Sequence, residues 1–161
     1  MNLTTRFEVV KRLGGGGMGD VFLARSLIDS NQPYVAVKRI RSLFAHDAVA
    51  RARFEREATV STLLRHPNIV STNEYGVDDE GPYFIMDFVE GQSASDLLAS
   101  TSADAEPLPL DVALSILFDV ASALAFAHEF KSRSNAIHGI VHRDLSPDNI
   151  LIGYDGMARL S

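Results

Sequence analysis

Cysteine is absent from the 161-residue sequence, which excludes disulfide bonds and thiolate metal sites and fits a reducing compartment. Basic residues are in the minority: 15 Lys and Arg against 21 Asp and Glu give a formal net charge of -6. An acidic, unclustered charge pattern argues against a non-specific nucleic-acid surface. The first residues alternate charged and apolar side chains and lack the apolar run of a secretory signal. These absences predict a cytoplasmic protein that binds no nucleic acid.

A long uninterrupted hydrophobic run is also missing. The most apolar stretch, 112–127, contains Ser115, Asp119 and Ser122, so we expect no membrane-spanning segment. What is present is an ordinary globular composition, 46% hydrophobic and 22% charged, in a chain long enough to bury a core. Internal repeats are absent, and the one low-complexity segment is the glycine run 14–17. One domain or two small lobes are expected.

The first half of the sequence predicts a β-sheet with one helix. Residues of β type alternate on both sides of the glycines, and a third such run contains an internal lysine, Lys38. The period becomes helical between Ala45 and Arg65, and His66-Pro67-Asn68 ends the helix. The predicted strands are 7–13, 21–24, 34–40, 69–75 and 83–89. The first forty residues are therefore expected to form an antiparallel meander.

The second half is predicted to be mainly helical. A short helix opens at Ser93 with a capping box to Asp96, and the polar segment 100–106 is predicted to be a flexible loop. The strongest helix, 110–128, has a wide apolar face that is expected to form the core of this half. Its apolar residues at helical spacing include Leu114, Leu117, Ala121, Leu124 and Ala125. Short strands follow at 150–152 and from Met157, which makes the fold class α+β.

The glycine run is compatible with several kinds of loop. The spacing Gly14-x-Gly16-x-x-Gly19 satisfies the dinucleotide-binding fingerprint, but a strand rather than a helix is predicted to follow, which argues against a Rossmann site. A Walker A loop is also disfavoured because no Gly-Lys-Ser/Thr follows. Two interpretations remain: a flexible hairpin tip, or a hairpin whose backbone N–H groups approach nucleotide phosphates.

A second polar cluster lies near the end of the sequence, at 142–149. The carboxylate of Asp144 and the amide of Asn149, on a loop between a helix and a strand, suit a proton acceptor beside a metal ligand. Charged residues beside a proline are also typical of a solvated turn. The residues of this cluster alone leave both interpretations open.

Three segments together resemble the motifs of protein kinases. The segment 13–21 resembles the GxGxxGxV glycine loop, 35–38 resembles the VAIK strand, and 142–149 resembles the HRDLxxxN catalytic loop. They occur in the order, and with the spacing, of that family. The sequence is therefore identified as a member of the protein kinase family that resembles bacterial Pkn-like serine/threonine kinases.

The resemblance implies a protein-kinase-like fold with a defined domain organisation. The β-rich N-lobe would be complete at 1–86, the hinge would lie at 87–91, and 92–161 would form the first part of the helical C-lobe. The sequence stops just before the DFG aspartate, which is the principal magnesium ligand of the family. Helix 110–128 would then expose apolar surface, so we expect this chain by itself to be inactive and prone to aggregate.

An ATP site is implied by the same resemblance. Lys38 would contact the α- and β-phosphates, and Glu57 would hold the lysine in place. The competing interpretations are an edge lysine that points to water and a surface ion pair between Arg53 and Glu57. The residues implied to bind phosphates are Gly14, Gly16, Gly19 and Lys38.

Adenine and ribose contacts are also implied. Met86 would be the gatekeeper, and backbone groups of Asp87 and Val89 would bond the adenine edge. Asp96 would reach the ribose, although its capping-box position gives an equally good structural reason for an acid there. The apolar sandwich around adenine would be formed by Leu13, Val21, Ala36 and Leu151.

The catalytic loop is implied to carry the chemistry. Asp144 would accept or orient the proton of a serine or threonine hydroxyl in a protein substrate, Asn149 would bind Mg2+, and His142 would be structural. Ser146 replaces the lysine usual in serine/threonine kinases, which removes a cation aimed at the γ-phosphate, while Pro147 still favours that class. We expect a serine/threonine protein kinase that uses ATP and Mg2+. The alternative is a non-catalytic nucleotide-binding or pseudokinase-like interaction module.

Overall fold

The computed structural model describes residues 3–29, 31, 33–103, 107–132 and 137–161. The chain forms two compact units. The first contains Met1–Leu63 and Ser71–Phe88, and the second contains Leu64–Val70 and Val89–Ser161. The segment 64–70 therefore belongs with the second unit, although it lies between two parts of the first in the sequence.

A five-stranded antiparallel sheet dominates the first unit. Its strands are β1 (Phe7–Gly16), β2 (Gly19–Ser26), β3 (Tyr34–Ile40), β4 (Thr72–Asp78) and β5 (Gly81–Asp87). Their spatial order is β1-β2-β3-β5-β4. The predicted strands are all present, β3 with the predicted ends and the others with shifted ends. In particular, β1 continues past its predicted end at 13, so the glycines at 14–16 belong to a hairpin arm.

One face of the sheet is covered by the start of the chain, where a short 3-10 helix runs from Leu3 to Thr5. The buried apolar side chains of this layer are Leu3, Phe7, Ala24, Val35, Val37, Tyr83 and Ile85. Arg39 lies on the same face and donates two hydrogen bonds to the Asp78 carboxylate, at 2.6 and 2.7 Å. The Asp78 side chain is only 3% exposed. The hydrogen bonds from Arg39 lower the pKa of Asp78 below its ordinary value.

The opposite face packs against helix α1 (Ala48–Leu63). Asp47 caps the helix, because its Oδ1 accepts hydrogen bonds from two backbone N–H groups of the first turn, at 2.8 and 3.0 Å. Phe54 of the helix is fully buried, and its ring centre lies 5.1 Å from that of Phe84 in β5. Each buried phenyl ring stabilises the unit by roughly 1.5–3 kcal/mol, and together they fix the helix on the sheet.

A small antiparallel sheet organises the second unit. Its strands are β6 (Gly91–Ser93), β7 (Ile150–Gly153) and β8 (Ala158–Leu160), in that spatial order. The strand β6 was not predicted, because three residues are too few to show alternation. At the turn between β7 and β8, Asp155 accepts hydrogen bonds from the Arg159 side chain and from the Met157 N–H, each at 3.1 Å. The hydrogen bonds from Arg159 lower the pKa of Asp155 to about 2.

Helix α2 (Ala94–Ala103) follows β6 and contains the predicted capping box. The Ser93 hydroxyl donates to the Asp96 carboxylate at 2.7 Å, and the Asp96 N–H donates back to the hydroxyl at 3.0 Å. The prediction of a loop over 100–106 is wrong for 100–103, which are helical. The hydroxyls of Ser100 and Thr101 donate to carbonyls of their own helix, so polar side chains do not end it. Residues 104–106 lie outside the described residues.

Helix α3 (Leu110–Glu129) packs on β8. Val120 and Ala123 are buried against Leu160 of the strand. The carboxylate of Asp119 accepts a hydrogen bond from the Ala158 N–H at 2.8 Å. One stripe of the helix is thereby fixed by both apolar packing and a polar contact.

A second apolar stripe of α3 is exposed. Leu114 and Leu117, which were predicted to lie in the core, are 56% and 62% exposed, and Leu110 and Phe118 are 74% and 75% exposed. That part of the core prediction is wrong. The helix is apolar on several sides, so periodicity did not show which stripe faces the sheet. The exposed stripe agrees with the apolar surface expected on this helix from the family resemblance.

By length and a mean hydropathy of 1.9, α3 is the one helix among the described residues that could cross a bilayer. Its polar residues Ser115, Asp119 and Ser122 predict that it spans no membrane. Length and composition are weak evidence, since the core helix of a globular protein has the same properties. Asp119 contacts β8, and the Ser122 hydroxyl lies 3.5 Å from Nε2 of His66. The described residues contain no clear membrane span.

The segment Leu64–Val70 also contacts β8. The carbonyl of Asn68 accepts the Leu160 N–H at 2.9 Å, and its side-chain amide donates to the Ala158 carbonyl at 3.0 Å. The Val70 N–H donates to the Leu160 carbonyl at 2.8 Å. The strand predicted to begin at 69 begins at 72 instead, because Ile69 and Val70 pair with Leu160 of β8.

Replacing Asp78 with Asn tests the buried ion pair with Arg39. We expect the free energy of unfolding at pH 7, measured with urea, to fall by about 2 kcal/mol because a charged hydrogen bond is lost. The folded-state pKa of Asp78 lies below that of the unfolded chain. Its contribution is therefore complete above about pH 4 and is lost as the pH falls through the folded value. The exposed neighbour Asp79→Asn is the control, and equal stability of Asp78→Asn and wild type at pH 7 would contradict this account.

A double variant, Leu114→Glu with Leu117→Glu, tests the exposed stripe of α3. We expect less self-association in sedimentation velocity with an unchanged helical circular dichroism signal, because both side chains already contact water. In contrast, Val120→Glu buries a charge and should unfold the second unit. The interpretation fails if the double variant unfolds, or if the wild-type chain stays monomeric at high concentration.

Candidate nucleotide-binding and catalytic site

Four predicted site residues share one face of the sheet in the first unit. The strand register places Lys38 of β3 opposite Val21 of β2 and opposite Phe84 of β5. Side chains two residues apart on a strand share a face, so Ala36 lies on the same side, opposite Met86. The predicted nucleotide-contacting residues Val21, Ala36, Lys38 and Met86 are thereby brought together.

Lys38 is held by an ion pair. Its Nζ lies 2.5 Å from Oε1 of Glu57 in α1 and 5.5 Å from the centre of the Phe84 ring. The lysine side chain is 26% exposed, and that of Glu57 is 41% exposed, so the pair borders solvent. Because β3 lies between two other strands, Lys38 is not an edge lysine. Glu57 pairs with Lys38 rather than with Arg53.

The glycines of the β1–β2 hairpin fall into two groups. A Cβ at Gly19 would lie 3.1 Å from the Arg39 carbonyl oxygen, 3.3 Å from the Phe54 ring and 3.4 Å from Cε of Lys38. A side chain at Gly19 would therefore be crowded by β3 and α1. At Gly14 and Gly16 a Cβ would meet nothing within 4 Å. Internal packing does not require glycine at these two positions, whereas a phosphate that approaches the backbone would.

In the second unit, Asn149 orients Asp144. The Asn149 side-chain nitrogen donates to the Asp144 carbonyl at 2.7 Å and to its Oδ2 at 3.1 Å. The backbone of Asn149 is fixed in turn: its N–H donates to the Ser146 carbonyl and its carbonyl accepts the Ser161 N–H, both at 3.0 Å. Asp144 is exposed, so its carboxylate is open to a ligand. The arrangement suits a proton acceptor whose position is set by its neighbour.

Two further features mark the 142–149 loop as more than a solvated turn. Arg143 has a φ of 66°, the one positive value at a non-glycine among the described residues. A side chain in this region costs roughly 1–2 kcal/mol, and such strain is found preferentially at functional sites. Nε2 of His142 lies 3.2 Å from the Ser161 carbonyl, to which it donates. Its Nδ1 is buried and has no hydrogen-bond partner in the described part of the chain. This contact agrees with the structural role expected of His142.

Asn149 is suited to supply one magnesium ligand, but the described residues around it do not form a complete metal site. No cluster of three or more His, Asp or Glu that could hold a metal occurs in the described residues. The Asn149 amide nitrogen is used by Asp144, and its amide oxygen accepts no hydrogen bond from the described residues. Magnesium takes such hard oxygen ligands and commonly keeps phosphate oxygens and waters as its other ligands. The residues present therefore fit an ion that arrives with a nucleotide.

The predicted hinge residues are divided between the two units, 87–88 in the first and 89–91 in the second. In the first, Met86 packs against the buried cluster around Phe54, and the Asp87 N–H donates to the Ser71 carbonyl at 2.9 Å. Val89 belongs to the second unit. The adenine contacts of Asp87 and Val89 stay predictions.

The remaining predicted contacts lie in three different elements, and one of them has a local structural explanation. Leu13 lies in β1 and is 42% exposed. Leu151 lies in β7, opposite Ser93 and Arg159. The Asp96 carboxylate completes the capping box of α2, and its contact with a ribose stays a prediction.

Sequence reasoning missed three residues that support the site. Phe84 lies under the Lys38 ammonium group, and the alternation of β5 could have identified it only if the strand register were known. Asn68 and Asp119 hold β8, whose end positions Ser161 beside the catalytic loop. Asn68 is 6% exposed, and a polar residue between apolar neighbours was the available signal.

Gly19→Ala and Gly16→Ala form a matched pair that tests the two glycine groups. The added methyl at Gly19 must displace the Arg39 carbonyl or the Phe54 ring, so we expect the free energy of unfolding to fall by about 1 kcal/mol. Gly16→Ala should leave stability unchanged or slightly higher, because the site is open and the unfolded chain loses freedom. Urea unfolding measures both. The packing account is wrong if the two variants lose equal stability.

Comparison with known proteins supports the same interpretation. A family model described as protein kinase domain matches residues 7–161. The serine/threonine-protein kinase PrkC of Bacillus subtilis is 35% identical over 159 residues, which cover 99% of this chain and 22% of PrkC. The tyrosine-protein kinase MasK of Myxococcus xanthus is 33% identical over 155 residues, which cover 96% of this chain and 24% of MasK.

A solved structure is similar as well. The crystal structure of the PknI kinase domain of Mycobacterium tuberculosis matches with a TM-score of 0.70 and 31% identity, covering 96% of this chain and 56% of that one. The chain thus spans about a quarter of the length of the curated relatives and over half of the solved kinase domain. The predicted fold and the similarity to bacterial serine/threonine kinases are confirmed. Since the family model matches nearly every residue, the chain belongs to the protein kinase domain family.

Proposed function

We propose that this protein is a serine/threonine protein kinase that transfers the γ-phosphoryl group of ATP to a hydroxyl group of a protein substrate. One observation carries the proposal: the Lys38 ammonium group is paired with Glu57 at 2.5 Å. Protein kinases require a strand lysine paired with a helix glutamate, because the pair fixes a positive charge where nucleotide phosphates bind. Gly19, which leaves room for the lysine stem, adds support.

The proposed role of the first unit is to hold ATP. Lys38 would contact the α- and β-phosphates, and the backbone at Gly14 and Gly16 would approach phosphate oxygens. The open space at both glycines supports this role. Val21 and Ala36, on the same face as Lys38, would supply apolar contacts to adenine.

The proposed role of the second unit is to prepare the acceptor. Asp144 would orient the substrate hydroxyl and take its proton as the new O–P bond forms and the bond between the γ-phosphorus and the bridging oxygen of ADP breaks. The hydrogen bond from Asn149 engages one carboxylate oxygen of Asp144, and the other can accept the proton. When bound with ATP, magnesium neutralises charge that develops on the phosphates, and Asn149 would supply it with one oxygen ligand.

The proposed acceptor is serine or threonine rather than tyrosine. The names of the relatives include both kinase types, so similarity does not decide between them. Pro147 favours the serine/threonine class, as the family resemblance implies. Phosphoamino-acid analysis of a phosphorylated protein substrate separates the two outcomes, and phosphotyrosine alone would overturn this part of the proposal.

Ser146 supports one alternative. A serine at this position lacks the positive charge that many serine/threonine kinases aim at the γ-phosphate, which favours a nucleotide-binding module without catalysis. Such a module would bind magnesium-ATP and transfer no phosphate. The presence of Lys38, Glu57, Asp144 and Asn149 in supported positions argues for catalysis.

The test is a phosphoryl-transfer assay on the full-length gene product with magnesium-ATP and a generic protein substrate. Lys38→Met should reduce transfer by about 100-fold or more, because a charge that stabilises the transition state is removed. Lys11→Met, at an exposed lysine of β1, is the matched control and should retain wild-type activity.

Three outcomes of this assay test the proposed kinase function and the role of Lys38. Transfer by wild type and Lys11→Met, with loss in Lys38→Met, supports the kinase. Nucleotide binding without transfer in the wild type supports the non-catalytic alternative. Unchanged transfer in Lys38→Met overturns the role assigned to that lysine.

A further inference from the structure

Asp20 joins the two arms of the β1–β2 hairpin to the end of β3. Its Oδ1 accepts one hydrogen bond from Nη2 of Arg12 in β1, at 2.8 Å, and one from Nε of Arg41, at 3.2 Å. The register pairs Asp20 with Gly15, inside the glycine loop. We call these three side chains, Arg12, Asp20 and Arg41, the Asp20 bridge.

The hairpin has one fixed arm. The Met18 carbonyl accepts the Arg41 N–H at 2.9 Å, and the Met18 side chain packs against the cluster that contains Phe54. A Cβ at Gly19 would lie 3.1 Å from the Arg39 carbonyl oxygen and 3.4 Å from Cε of Lys38, so the hairpin backbone runs close to β3 here. The β2 arm is thus fastened to both β3 and α1.

The β1 arm is held less firmly. Its pairing with β2 is irregular on both sides of Arg12, with register shifts between Val9 and Lys11 and between Arg12 and Gly14. Such irregularities disrupt the ladder locally. The glycines that follow have no side chains with which to hold the arm. Among the described residues, the Arg12–Asp20 pair is the one side-chain hydrogen bond that joins the two arms at the loop.

The Asp20 bridge lies against Gly15. A Cβ at Gly15 would lie 2.3 Å from Oδ1 of Asp20 and 2.8 Å from Nη2 of Arg12, so a side chain there would move the ends of both residues. Gly14 and Gly16, in contrast, face open space. The ion pair therefore lies directly across the backbone of the loop.

We propose that Asp20 is a positioning residue for the nucleotide: the Asp20 bridge restrains the free arm of the glycine loop, and this restraint strengthens ATP binding. The consequence for ATP rests on the proposed kinase function, whereas the restraint itself does not. The competing explanation is an ordinary surface ion pair without effect on the loop, since Arg12 is 55% exposed and Asp20 25%.

The two explanations predict different changes in ATP affinity for Asp20→Ala and Arg12→Ala. If only electrostatics mattered, Asp20→Ala would remove a negative charge and strengthen the binding of a polyphosphate, whereas Arg12→Ala would weaken it. If the bridge positions the loop, both variants weaken ATP binding, because either one opens the same contact.

The experiment uses the full-length gene product as Asp20→Ala, Arg12→Ala and the control Glu8→Ala. Glu8 pairs with Arg25 across the same two strands at the end away from the loop. Hydrogen exchange of the nucleotide-free protein should become about two- to fivefold faster at 13–21 in the first two variants, within the range expected for loss of exposed ion pairs. Glu8→Ala should leave this segment unchanged, and the urea midpoint should stay near wild type in all three.

Affinity for magnesium-ATP, measured by calorimetry, should fall about two- to fivefold in both Asp20→Ala and Arg12→Ala and not in Glu8→Ala. The proposal is overturned if ATP affinity rises in one of these two variants and falls in the other. It is also overturned if exchange becomes faster while affinity is unchanged. Unchanged exchange at 13–21, or faster exchange throughout the first unit, overturns it as well. If the wild type binds no ATP, the proposed kinase function fails, and the exchange result alone decides whether the bridge restrains the loop.

Discussion

The rest of the first unit depends on keeping a charged lysine within a central β-strand. Lys38 points into the face on which α1 packs, where an unpaired ammonium group would lose hydration without compensation. Glu57 supplies the opposite charge, and the Phe84 ring supports the ammonium group from below. Phe84 also packs on Phe54, so the same ring contacts both helix α1 and the Lys38 ammonium group. A shift of the helix would move its glutamate away.

Both polar loops are held by residues outside them. The glycine loop has almost no side chains of its own and is fixed through Met18 and Asp20. The 142–149 loop is fixed through Asn149, which is hydrogen-bonded to Ser161 beyond β8 and in turn orients Asp144. Rigid neighbours allow a short polar loop to present its groups in a defined geometry. This explains how a strained Arg143 is maintained near the start of the second loop.

Sequence patterns predicted the secondary-structure elements better than they predicted which residues contact one another. Alternation located β3 without error, and the Ser93–Asp96 box marked the start of α2, because both signals are local. The pairing of Lys38 with Glu57 came from family resemblance, since no periodicity links a strand to a later helix. Burial on α3 was mispredicted because that helix offers two apolar stripes.

The conformation of segment 64–70 and the presence of β6 were not predicted correctly, for a different reason. Residues 64–70 form backbone hydrogen bonds with residues near 160, so their conformation depends on contacts that lie far away in sequence. Strand β6 is three residues long and exists because β7 pairs with it. Long-range pairing of this kind leaves no local signal, which is also why the positions of Asn68 and Asp119 beside β8 could not be predicted.

The central claim is that Glu57 holds Lys38 for phosphate binding, and a comparison of Glu57→Gln with Glu55→Gln measures it most directly. Both changes remove one negative charge from α1, but only Glu57 contacts the lysine. In the full-length gene product, magnesium-ATP affinity and phosphoryl transfer should together fall about tenfold or more in Glu57→Gln, because the paired state of the lysine is needed for catalysis. Glu55→Gln should match the wild type. Equal activity of the two variants would contradict the account.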